Sequence, residues 1–190
     1  MYRLALILAL LISSTAALAG ELRGVVSAVS DGDTIHVLDD TNHTVIVRLA
    51  NIDAPETTCH QFNAMRFASC VEQAQRFGKE AKSNLLNLIG GKEVRIVTVQ
   101  ESNAIGRLVD TASYGRTIGT VYVNGINANL EQLRHGFAWF EKPFAHQQMD
   151  NESFAEYANA EEMAKAQGIG LWSDKSPLAP WRFRHSNSKD

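Results

Sequence analysis

The run Thr44-Val-Ile-Val-Arg-Leu-Ala-Asn-Ile-Asp-Ala-Pro-Glu56 constrains this chain more than any other stretch. Its β-branched start reads as a half-buried strand. Pro55 stops that strand, because proline has no N–H to offer a ladder. Along the way the run carries the guanidinium of Arg48 and ends on the carboxyls of Asp53 and Glu56. Such groups are almost never buried unless paired. A fold that accepts this segment has to deliver charged side chains to the rim of a sheet.

Strand-like runs at 22–29 and 34–38 precede it, joined by the turn Ser30-Asp-Gly-Asp33. Asp39-Asp-Thr-Asn42 then turns the chain into a third strand over 43–52. Two tight turns between three β-rich runs predict an antiparallel meander. Beyond Pro55, the spacing of Ala74, Phe77, Ala81, Leu85 and Leu88 predicts a helix over 71–89, ended by Gly90-Gly91. Strands over 93–99 and 117–123 flank a polar segment at 100–115. Helices over 127–135 and 152–167 follow, the second closed by Gly168 and Gly170. Five strands with a helix after the third is the order of an OB-type barrel, an α+β fold that is mainly β barrel with about three helices.

The N-terminus has a separate character. Arg3, the apolar run 4–12 and Ala17-Leu18-Ala19 have the anatomy of a secretory signal peptide. The run is too short to span a bilayer as a stable helix. Residues 1–19 are set apart on that reading, which leaves one domain over 20–190 with a C-terminal tail from about 173. Export to the periplasm or the medium is the expectation. The remaining chain keeps 17 of the 18 Lys and Arg against 21 Asp and Glu, a net charge of −4. Mild acidity argues against a protein that coats nucleic acid tightly. An oxidising destination favours a disulfide between Cys59 and Cys70, worth about 2–3 kcal/mol for so short a loop. The alternative, zinc on Cys59, His60 and Cys70, lacks a fourth ligand at a recognised spacing. The histidines are scattered and read as surface or packing residues.

Two carboxylate clusters stand out: Asp31 and Asp33 around Gly32, and Asp53 with Glu56. In a meander both reach neighbouring edges of one small sheet. Clustered carboxylates repel unless a cation sits among them, and loop-borne hard oxygens suit Ca²⁺ better than Zn²⁺. No EF-hand loop is present. Taken alone, Asp31 and Asp33 are better explained by an Asx-turn than by a metal. Arg48 and Arg116 have the planar fork that grips phosphate oxygens. Arg48 also has a purely structural alternative, an ion pair with Asp53. Strict alternation puts positions 48 and 53 on opposite faces, so either role requires a bulge, or a turn near Ile52.

Asp31-Gly-Asp-Thr34, Arg48-Leu-x-x-Ile-Asp-x-Pro-Glu56 and Tyr114-Gly-Arg116 resemble the staphylococcal nuclease (thermonuclease) family in order and approximate spacing. Gly170-Leu-Trp172 and Pro180-Trp-Arg-Phe-Arg184 are similar to the endings of its bacterial members, so the resemblance runs from Leu22 to Arg184. It implies an OB-fold and Ca²⁺-dependent cleavage of DNA and RNA that leaves 3′-phosphates. By matching positions, Asp33, Asp53 and the backbone carbonyl of Ala54 are the implied metal ligands. Glu56 is the implied general base or water-orienting group. Arg48 and Arg116 are the implied phosphate-binding groups, with Arg116 near the leaving oxygen and Asp31 a nearby acid. Tyr114 is expected at the substrate. The family's Asp-Lys before Tyr-Gly-Arg reads Ala112-Ser113 here, with Asp110 a substitute for the missing acid. Its base-stacking tyrosine segment is shortened to Trp139-Phe-Glu-Lys-Pro143, which leaves Trp139, Phe140 or Phe144 as stacking faces or as core. The rival from another class is a non-catalytic OB-fold module that binds nucleic acid or protein.

Overall fold

The alternation of the strand-like runs sorts them into a closed barrel. In a computed structural model, the residues described are 20–57, 74–99, 101–102, 108–109, 111–112 and 116–187. The signal-peptide segment 1–19, the Cys59–Cys70 pairing, Asp110 and Tyr114 lie outside them. Strands β1 (Glu21–Val29), β2 (Thr34–Leu38) and β3 (Thr44–Leu49) form the expected meander. A two-residue strand, β4 (Ile52–Asp53), follows, then helix α1 (Gly78–Ile89) and strand β5 (Glu93–Thr98). Three further two-residue strands, β6 (Glu101–Ser102), β7 (Leu108–Val109) and β8 (Thr111–Ala112), lead to β9 (Arg116–Val123). β5 pairs with β1, and β9 pairs antiparallel with β5 and parallel with β3, which closes the five-stranded ring.

Inward positions carry Val26, Ile35, Val37, Val47, Leu49, Ile96, Val121 and Val123, all buried. Ala81, Leu85 and Ile89 of α1 complete that core from one end. Arg48 lies between Val47 and Leu49, so it faces away from the barrel interior. The remaining elements are β10 (Ile126–Asn127), α2 (Ala128–Arg134), β11 (Trp139–Phe140), α3 (Lys142–Gln148), α4 (Asn151–Gln167), a 3₁₀ turn (Gly170–Ser173) and α5 (Pro180–Asn187). Among the described residues, no helix is long and apolar enough to cross a membrane.

Four expectations are corrected by these elements. The strand expected over 43–52 breaks at Ala50–Asn51, where Asn51 takes φ 63, and resumes as β4 against β11. The helix expected from 71 begins, within the described residues, at Gly78. Phe77 before it is left-handed (φ 69), and Gln75 N–H donates to the Glu56 carbonyl while the Gln75 carbonyl accepts from Gly78 N–H in a single turn. The described residues hold five α-helices, not about three. The additional ones, α3 and α5, are short and lack an apolar stripe. The stretch past 173, read as a tail, ends in α5 and returns to the barrel rim.

Asn129 of α2 holds the break between β3 and β4 in place. It is fully buried; its Nδ2 donates to the carbonyls of Ala50 (2.9 Å) and Gly119 (3.2 Å), and its Oδ1 accepts from Val121 N–H (3.0 Å). Asn129→Ala removes the side-chain partner of the Ala50 carbonyl and of Val121 N–H, while the Gly119 carbonyl keeps Ala50 N–H at 2.8 Å, and is expected to lower stability by about 2–4 kcal/mol. Urea unfolding checks this; an unchanged midpoint contradicts it.

Candidate active site

Two turns converge on one spot of the barrel rim. In the first, Asp31 Oδ1 accepts from Asp33 N–H at 3.0 Å, an Asx-type turn that fixes the Asp33 backbone. Gly32 between them lies so close to the second turn that a Cβ there would meet Ala54 Cβ at 2.6 Å and Ala81 Cβ at 2.7 Å. Only glycine lets the two turns touch. Across that contact, Asp33 Oδ2 accepts from Ala54 N–H at 3.0 Å, and Asp33 Oδ1 accepts from Thr34 Oγ1 at 3.0 Å.

Arg48 fills the space between them. Its Nη1 stands 3.2 Å from Asp33 Oδ1 and 3.1 Å from Oδ2, and its Nη2 is 3.0 Å from Asp53 Oδ1. The break at Ala50–Asn51 is what makes this convergence possible. It turns β4 away from the β3 ladder, so the parity conflict between positions 48 and 53 disappears. Of the two alternatives for Arg48, the structure shows the ion pair with Asp53, joined by one with Asp33. Burial works against its charge, but Asp33, Asp53 and Glu141 outweigh that and keep it protonated.

Glu56 is fixed by its backbone. Its N–H donates to Gln75 Oε1 (3.2 Å) and its carbonyl accepts from Gln75 N–H (2.9 Å), a reciprocal clamp. Gly78 packs so tightly that a Cβ would sit 2.2 Å from the Glu56 carbonyl oxygen. The carboxyl of Glu56 meets Arg184, whose Nη1 stands 2.5 Å from Oε1. The same Arg184 grips Asp53 with Nη1–Oδ1 at 3.0 Å and Nη2–Oδ2 at 2.8 Å.

Arg116 opens β9, and the parallel register places Arg48 opposite Ile118, so Arg116 shares the outward face with Arg48 one pleat away. Its Nε is buried with no hydrogen-bond partner among the described residues. A buried, unsatisfied guanidinium nitrogen is uncommon and marks a place where an acceptor is wanted. Trp139, offered as a stacking face, is only 8 % exposed: it pairs with Asp53 in the β4–β11 ladder and lies edge-on to Trp172 and Trp181. Phe140 is also core, whereas Phe144 is exposed.

The charge balance of the site is uneven. Asp31, Asp33, Asp53, Glu56 and Glu141 gather around Arg48 and Arg184. Burial, then the charge of Asp33, pushes Asp31 well above the usual carboxylate range. Burial also raises Glu56, against the pull of Arg184, and lifts Glu141 to about 7. Burial is the chief cause of these shifts, and Asp33 and Asp53 add to them. All the side-chain oxygens are hard donors, so the set fits Ca²⁺ by chemistry and charge. Among the described residues, no three carboxylates stand in a ready-made coordinating arrangement, because their oxygens face guanidinium groups. Of the residues suited to hold the ion, Asp33 and Asp53 flank Arg48, and Ala54 is tied to Asp33 through its amide.

Sequence reading did not single out Arg184 or Glu141 as site residues. Arg184 stood in a quoted terminal motif, yet lies 131 positions from Asp53, and no local pattern announces such a contact. Glu141 N–H donates to the Asn51 carbonyl at 2.9 Å, so β11 brings it in.

An OB-type barrel whose rim gathers arginines against carboxylates is in keeping with the resemblance carried by the sequence motifs. The comparisons with known proteins agree. The model of the staphylococcal nuclease homologue family matches residues 46–174. A Haemophilus influenzae protein called an uncharacterized endonuclease is 34% identical over 156 residues, covering 82% of this chain and 69% of its own. Protein ParB of Escherichia coli is 34% identical over 197 residues, 99% of this chain and 93% of its own. The micrococcal nuclease of Shigella flexneri is 33% identical over 176 residues, 88% of this chain and 83% of its own. The chain belongs to the staphylococcal nuclease family.

Glu141 supplies a pH test of the charge balance. Its carboxyl titrates near 4.5 when unfolded and about 7 when folded, so the folded protein holds an extra proton between those values. Stability should therefore fall as pH rises from about 4.5 to about 7, by up to roughly 3 kcal/mol from this group. In chelator, Glu141→Gln is expected to flatten that part of the pH–stability curve; the same slope in the variant contradicts the assignment.

Proposed function

We propose that this protein is an exported, Ca²⁺-dependent endonuclease that hydrolyses phosphodiester bonds of DNA and RNA with little sequence specificity and leaves 3′-phosphate ends. The observation that carries the reading is the meeting of Asp33, Arg48, Asp53 and Glu56 at one rim, delivered by two turns that touch at Gly32 and Ala54. The family of the chain supplies the reaction class. Export rests on the N-terminal segment.

Bound by Asp33, Asp53 and the Ala54 carbonyl, the ion would supply Lewis-acid polarisation and charge neutralisation at the phosphate. Arg48 and Arg116, on one outward face, hold the non-bridging oxygens and stabilise charge as the phosphorus becomes five-coordinate. Glu56 takes a proton from the attacking water as the new P–O bond forms. The P–O5′ bond breaks on the opposite side, the departing 5′ oxygen takes a proton from solvent water to leave as a hydroxyl, and Glu56 returns its proton to solvent. A carboxyl raised by burial is suited to that base role, since its proton affinity lies closer to working pH. The base alone accounts for about 3–5 kcal/mol of barrier, against roughly 8–23 kcal/mol that hydrolytic enzymes provide. Positioning and charge stabilisation by the arginines and the ion have to supply the rest.

Incubation of the purified protein with plasmid DNA and with RNA, in calcium or in chelator, tests this directly. Cleavage in calcium alone is expected; no calcium-dependent cleavage of either substrate overturns the reading. Glu56→Gln should keep the folded far-UV spectrum and lower kcat about 10²–10⁴-fold. Full activity in that variant removes Glu56 from the mechanism.

A further inference from the structure

Arg184 is placed where the proposed chemistry needs open carboxylate oxygens. It comes from α5, near the end of the described chain, and donates to both oxygens of Asp53 and to Oε1 of Glu56. Asp53 Oδ1 also receives Arg48, so every oxygen of that carboxylate faces a guanidinium. A lone pair given to a guanidinium is not available to a cation. The base is engaged by the same side chain. Arg184 keeps its proton: burial opposes the charge, but its bonds to Asp53 and Glu56 outweigh that.

We propose that Arg184 is an internal competitor for the cation, and that α5 is a latch that releases Asp53 and Glu56 when the ion is bound. The proposal rests on the reading that Asp53 serves the ion and Glu56 the water. Of the two guanidinium groups on Asp53, Arg184 is the one whose element can leave the rim; Arg48 stays at the rim, where the proposed chemistry turns it from the carboxylates to the phosphate. Arg48 is rooted in β3, inside the closed barrel ladder, between β2 and β9. The carboxylates are equally fixed: Asp53 is fully buried in the β4–β11 pair, and Glu56 is clamped by Gln75. α5 is eight residues long and leaves Trp181, Arg182, His185 and Ser186 exposed.

The hold on α5 is local. Among the described residues, besides Arg184, it includes Trp181 edge-on to Trp139 at 5.8 Å, the Leu178 carbonyl accepting from Gln75 Nε2 at 2.5 Å, buried Ala179 and Pro180, and contacts of Phe183 and His185. Such a short terminal segment with little buried apolar surface sits at the low end of local stability. Exchange of a single positive charge for a divalent ion is favoured where carboxylates outnumber arginines. Ion binding and α5 release are then reciprocally linked.

Calcium titration by calorimetry, without nucleic acid, compares the unaltered protein with Arg184→Gln. Hydrogen exchange of residues 180–187 in the unaltered protein, with and without calcium chloride, provides the second readout. Calcium is expected to bind the variant about tenfold more tightly or better, and to speed amide exchange in 180–187 of the unaltered protein. Equal affinity together with unchanged or increased protection of 180–187 overturns the latch while leaving the calcium reading intact. Failure of calcium to bind either protein overturns the calcium reading and the competition with it. Should Arg184→Gln not fold, the exchange measurement on the unaltered protein decides alone.

Discussion

The Arg48 guanidinium is the interaction on which the site depends. It bridges carboxylates from two turns, Asp33 and Asp53, both almost without solvent contact. For Asp33 it is the one guanidinium partner among the described residues, and removal of one partner from a buried ion pair typically costs about 3–5 kcal/mol; Asp53 is held by Arg184 as well. The bridge exists only because β3 stops at Leu49 and the chain turns through the left-handed Asn51 before β4 begins. Asn129 from α2 satisfies the carbonyl exposed at that break. The barrel, the break and the ion pair are thus one construction, in which backbone hydrogen bonds aim charged side chains.

Local patterns made much of this legible. The β-branched runs and the Asx-rich turns specify the meander, since each is a short-range signal that tertiary context had no reason to override. In the sequence, the conflict of parity between Arg48 and Asp53 makes their convergence conditional on a bulge, or a turn near Ile52, and does not place the break at Ala50–Asn51. The new partner of the resumed strand, β11, was not legible, because a two-residue pairing across 86 positions leaves no periodic trace. α3 and α5 were missed for a related reason. Neither presents an apolar face at helical spacing, and both are held by contacts supplied elsewhere, such as Trp139 beneath Trp181. Trp139 itself shows the limit of composition: an aromatic beside a catalytic-type cluster serves as core here, since it shares a ladder with Asp53.

The electrostatics give the site its character. Asp31, Glu56 and Glu141 are all held above their ordinary range, chiefly by burial and then by one another or by Asp33 and Asp53. A structure built for stability alone would not collect carboxylates faster than it collects arginines. The surplus instead suits a place that receives positive charge. Arg184 is one such charge, brought by the C-terminal helix; the proposed calcium ion is another. Arg116, with a buried nitrogen lacking a partner among the described residues, adds a demand for an acceptor on the same face. The proposed function uses both features, the negative charge for the cation and the donors for the phosphate.

The most direct measurement is anomalous diffraction from crystals grown in calcium. The expected result is a single ordered ion between the carboxylates of Asp33 and Asp53, at oxygen distances of about 2.3–2.6 Å. Ordered calcium elsewhere, or none at saturating concentration while both carboxylates stay bound to guanidinium groups, would contradict it.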